Sequence, residues 1–130
     1  MTYPMPQPVG QKRRWSRRLL IVIALVCSIY ALYRIDEGRA NRRVVAAKKS
    51  GGTIRAAIDA YVAQKSTLPS TLDELVPTFL TARDLDVDGR SWKYSASHGH
   101  SLKINLSTTL HRRVLTYSTL RGDWFLDSGF

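Results

Sequence analysis

Asp84, Asp86, Asp88 and Gly89 follow the spacing D-x-D-x-D-G, the opening of a calcium-binding EF-hand loop. Carboxylates on alternate residues can converge on a hard cation, and the glycine permits the sharp turn between them. The same loop closes with a bidentate acid on its twelfth residue, and here Ser95 stands in that place. The ligand set is therefore incomplete. A solvated turn is expected, with Ca²⁺ as the one cofactor candidate and no cofactor as the reading. His98 and His100 flank Gly99, but two imidazoles are half a zinc set, and neither a cysteine nor a third histidine is near in sequence. A polar hairpin tip is expected, and His111 falls in a further turn. No nucleophile–base ordering, carboxylate pair or glycine-rich phosphate loop stands out, so no catalytic residue is assigned and an enzyme is not expected.

The elements that would carry these residues are set by an apolar run. Leu19 to Tyr33 is fifteen residues without a charge, bracketed by Arg17, Arg18 and Arg34. A bilayer core about 30 Å thick takes roughly 20 helical residues. Counting from 15 to 35, with the arginines snorkelling outward, supplies them. The predicted anchor is Leu19, Leu20, Ile21, Val22, Ile23, Leu25, Val26, Ile29 and Leu32. Trp15, Arg17, Arg18, Tyr33 and Arg34 would hold the two interfaces. No small-x-small cleavage pair follows the run, so it reads as an uncleaved anchor and not as a signal peptide. The single Cys27 reads as a small buried hydrophobe.

The formal charge of +10 is unevenly spread. Five bases and no acid lie between Lys12 and Arg18, and eight bases meet three acids between Arg34 and Lys65. From Ser66 onward seven bases meet seven acids. Excess charge beside the run favours anionic lipid as a partner, and a neutral C-terminal globule argues against nucleic acid. The basic cluster before the run predicts a cytoplasmic N-terminus and a domain across the bacterial inner membrane, in the periplasm.

Residues 1–14, with prolines at 4, 6 and 8, read as a disordered cytoplasmic tail. Residues 36–66 read as the helix continuing out of the membrane. Val44, Ala47, Gly51, Ile54, Ile58, Tyr61 and Val62 form its apolar stripe, and Arg42, Arg43, Lys49, Arg55 and Lys65 its polar face. Gly51 and Gly52 mark a soft point, each costing about 1 kcal/mol against alanine. Leu68-Pro69 ends the helix. Thr71 to Glu74 reads as a capping box opening a second helix of little more than two turns, with Leu72, Leu75 and Phe79 facing the core. Residues 82–90 form a polar loop. Beyond it, Trp92 with Tyr94, then Leu102 with Ile104, then 114–120, then 124–126 alternate as strands joined by short turns. The fold class is α+β, a long N-terminal helix packed through residues 53–66 on a three- or four-stranded antiparallel meander. The domain spans 67–130, and Trp92, Tyr94, Tyr117, Trp124 and Phe125 read as core. A terminal strand would leave a sheet edge open to strand addition.

This order of elements resembles type IV pilins and the pseudopilins of type II secretion systems. IRAAIDAYVAQKSTLPSTLDELVPTFL resembles the family's apolar-striped helix, its Leu/Tyr-Pro step and its Ser/Thr-Leu-x-x-Leu turn, and DVDGRSWKY its aspartate-rich turn into an aromatic strand. The prepilin peptidase motif is missing: Gly10 is followed by QKRRW, and no acid precedes Asp36. The resemblance implies a pilin-like domain on an uncleaved anchor, scaffolding a pilus or secretion machine through contacts with other membrane proteins, with homo-oligomers formed through the helix. Two alternatives stay open: a non-standard minor pilin or pseudopilin within the filament, and a DNA-handling pilin-like protein of a competence system.

Overall fold

No proline stands between Val9 and Leu68, and the chain uses that freedom fully. In a computed structural model, which describes residues 2–5, 9–97 and 99–129 (backbone alone for 9–15 and 129), α1 runs unbroken over Val9–Lys65. It ends where Ser66 turns into the left-handed region (φ 59°) and donates its amide to the Val62 carbonyl at 2.8 Å. The chain divides into two compact units, Met1–Ile35 and Asp36–Phe130.

In the first unit every anchor side chain from Leu19 to Leu32 is exposed. The helix is long and apolar enough to cross a membrane. Ser28, within the run, donates its hydroxyl to the Ala24 carbonyl at 2.8 Å, so that group is paired inside the helix. Arg17, Arg18, Tyr33 and Arg34 are exposed at its ends, and the Trp15 side chain lies outside the described residues.

In the second unit four strands follow, β1 (Lys93–Ser95), β2 (Ser101–Asn105), β3 (Arg112–Ser118) and β4 (Asp123–Gly129), in the order β1-β2-β3-β4. All neighbours are antiparallel, with Leu102 opposite Tyr117 and Tyr117 opposite Trp124. The register puts Tyr94, Leu102, Ile104, Leu115, Tyr117 and Trp124 on the face that packs with α1. From α1 that core takes Ala47, Ile54, Ala57 and Ile58, with Val44, Tyr61 and Val62 half-buried beside them. The helix therefore contributes from Ala47 onward, earlier than residue 53. Leu72, Leu75 and Trp92 are buried in the same core, and Phe79 packs edge-on to Tyr61 with ring centroids 6.0 Å apart.

Three local expectations are corrected. The second helix is a single 3₁₀ turn, Leu72–Leu75, because Thr71 makes no cap and Glu74 is drawn elsewhere. Its carboxylate accepts from the Tyr61 hydroxyl (3.0 Å) and the Ser70 amide (3.2 Å). The 82–90 segment is not a plain loop: it holds a 3₁₀ turn at Ala82–Leu85, a bridge between Asp86 and Ser91, and a buried Val87. Phe125 is not core. It points to the outer face, 37% exposed, under the Arg121 guanidinium.

Candidate functional site

Asp36 is the first acid in the chain and the first residue of the second unit. Its Oδ2 accepts from the Thr108 hydroxyl (2.5 Å) and the Leu110 amide (3.3 Å), and lies 3.0 Å from His111 Nδ1. The turn that supplies these groups is closed by the Thr108 amide donating to the His111 carbonyl at 2.8 Å. The Thr108 hydroxyl, and after it the His111 ring, hold the Asp36 carboxyl below the usual carboxylate range. One helix residue thus fixes the β2–β3 turn, and Arg113 adds a bond to Asn41 on the next turn of α1. Nothing in the spacing of His111 pointed to this role. The one signal was an acid pair, Asp36 and Glu37, set among arginines at the end of the apolar run.

Asp84, Asp86 and Asp88 do not converge. Asp84 Oδ2 accepts from the Thr81 amide (2.9 Å) and hydroxyl (2.7 Å), the carboxylate half of a capping box. Asp86 Oδ1 accepts from the Gly89 amide at 2.8 Å, and Asp88 pairs with Arg43 on α1 at 2.7 Å. Each carboxylate thus shapes or fastens the segment locally. Among the described residues no cluster of three acidic, histidine or cysteine groups is close enough to hold a metal.

His98 lies outside the described residues. His100 is buried, and its backbone is tied to Thr119, whose hydroxyl accepts from the His100 amide at 3.0 Å. Its ring lies between Tyr94 (6.5 Å) and Tyr117 (5.9 Å), and its Nε2 has no hydrogen-bond partner. The aromatic layer continues from Tyr117 to Trp124 (5.1 Å) and on to Trp92 (5.7 Å). Arg55 is not on a solvated face: its guanidinium stacks 4.2 Å from the Tyr117 ring centroid.

Three hollows that share lining residues gather seven basic side chains of this unit. One of about 560 Å³ lies along α1 between Arg39, Arg42, Arg43 and the Asp86–Asp88 segment. A second, of 420 Å³, is lined by Asp36, Arg39, Arg43, Arg90 and Ser107. The third, of 530 Å³, lies on the outer face of the sheet between Arg90, Lys93, Lys103, Asn105, Ser107 and Arg112, and no acid lines it. Four of the seven bases after Ser66 thus gather in one place. Neutrality in sum hides a basic face on β1 to β3.

Comparison with protein-family models, with curated proteins and with solved structures returns no match.

Proposed function

We propose that this is a single-pass membrane protein whose α+β domain works as a contact module, a structural or assembly component of a pilus or type II secretion-like machine. The observation that carries it is one uninterrupted helix. Its first part exposes nine aliphatic side chains to the surroundings, and its last part supplies Ile54 and Ile58 to the core of a sheet. Such an exposed run is stable only in an apolar phase. Strand β4 has a neighbour on one side only, and Phe125 and Leu126 are exposed on it. The pilus or secretion assignment rests on the resemblance carried by residues 54–94.

The test has two parts. Carbonate washing should leave the chain in the membrane pellet, and a C-terminal reporter should be active only outside the cytoplasm. A photoreactive residue replacing Phe125 should then capture a membrane or envelope protein. Release by carbonate would end the membrane reading, and no adduct from Phe125 would end the contact role of β4.

A further inference from the structure

We propose that the acid-free groove between Arg90, Lys93, Lys103 and Arg112 binds the phosphate headgroups of anionic lipid; this rests on the membrane reading given above. Lys93 and Lys103 stand directly opposite each other across β1 and β2. Like charges so placed repel, and neither they nor Arg112 have a hydrogen-bond or ion-pair partner among the described residues. On the same face Asp127, opposite Val114, and Asp123 sit one strand beyond, on β4. Arg90 is already positioned, its guanidinium donating to the Ser107 carbonyl at 2.7 Å. A polyanion inserted here would meet two point-charge ammonium groups and two guanidinium forks, the set that suits phosphate oxygens.

A nucleic-acid strand fits less well, because no aromatic ring lines the groove to stack a base. Lipid is favoured by continuity. Arg90 and Ser107 also line the hollow that holds Asp36, Arg39 and Arg43, and Asp36 directly follows Ile35, the last residue of the predicted span. Basic side chains close in sequence to that junction would feel the headgroup potential, which decays over a Debye length of about 8 to 10 Å.

The experiment uses the full chain in nanodiscs of phosphatidylcholine alone and of phosphatidylcholine with one part in three phosphatidylglycerol. Amide exchange across 93–105 should slow about tenfold in the anionic discs, and the difference should shrink at high salt. Lys103→Glu with Arg112→Glu should abolish the difference, whereas Lys65→Glu, a single charge reversal at the far end of α1, should keep it. Exchange at Leu102 and Leu115 in the neutral discs reports whether the double variant is folded. The neutral pair Lys103→Gln with Arg112→Gln replaces it if it is not. An unchanged difference in a folded variant overturns the site. So does inositol hexakisphosphate, added to neutral discs, if it reproduces the protection, because the ligand would then be soluble phosphate. Equal exchange in both compositions with the chain inserted refutes the groove alone; failure to enter either disc refutes the membrane reading and the groove with it.

Discussion

The His100 ring is walled in by Tyr94 and Tyr117, and the charged groups that act on it are Arg55 and Asp59 of α1. Burial, ahead of the opposing pull of Asp59 and the push of Arg55, lowers its pKa below the usual 6.5. The unfolded chain therefore takes the proton first. Stability is full above pH 6.5 and falls as the pH drops below it, until the folded-state value is reached. Thermal melts from pH 7 to 5 should show this slope, and His100→Phe, which keeps a ring and removes the orphaned nitrogen, should flatten it. A slope that persists in the variant would place the proton elsewhere. The depressed carboxyls of Asp36, Glu74 and Asp84 act lower, their stabilisation being lost only as pH falls through the carboxylate range. Two neighbours on α1 allow a simpler comparison. Ile58 is fully buried, so Ile58→Ala should cost about 2 to 5 kcal/mol in chemical denaturation. Arg55→Ala should cost about 1 kcal/mol, since the cation–π stack on Tyr117 goes with it. No loss at Arg55 would return that side chain to the solvent.

Within α1, Gly51 and Gly52 read alike in the sequence and differ in the fold. A Cβ at Gly51 would come within 2.1 Å of the Trp124 ring, which Trp92 and Tyr117 hold in place. A Cβ at Gly52 would meet nothing within 4 Å. Alanine gains about 1 kcal/mol of helix propensity at either site, but overpacking costs about 1 to 3 kcal/mol. Gly51→Ala should therefore lower the melting temperature and Gly52→Ala should raise it; the opposite order would mean that the tryptophan gives way freely. Periodicity disclosed the helix stripe and the strand alternation because burial on one face imposes both patterns. It could not disclose why Gly51 is a glycine, because the tryptophan that occupies the space lies 73 residues further on. The same limit hid the Asp36–His111 contact, 75 residues apart. Capping was misread for a related reason. Thr71 with Glu74 and Thr81 with Asp84 carry the same local signature, but the Thr71 hydroxyl makes no cap and Glu74 is shared with the Ser70 amide and with the Tyr61 hydroxyl reaching from α1.

For the second unit as a whole, the helix is a structural half and not a stalk. Ile54, Ala57 and Ile58 are among its most buried side chains, and the Asp36, Asn41, Arg43 and Ser50 side chains all bond to residues beyond position 80. A chain truncated to begin at Pro69 would expose the inner face of the sheet. It should give no cooperative melt and collapsed amide dispersion in NMR spectra; a well-dispersed spectrum would show that the sheet holds itself together. Strand β4 carries a different consequence. Seven residues of edge backbone, with Phe125 and Leu126 exposed, offer a template on which a second chain could nucleate cross-strand stacking. Asp123 and Asp127 flank that apolar pair as gatekeepers, since addition of an identical strand would crowd four carboxylates together. Resistance of this edge to pairing with a copy of itself would then rest on two charges at the rim and not on the strength of the fold.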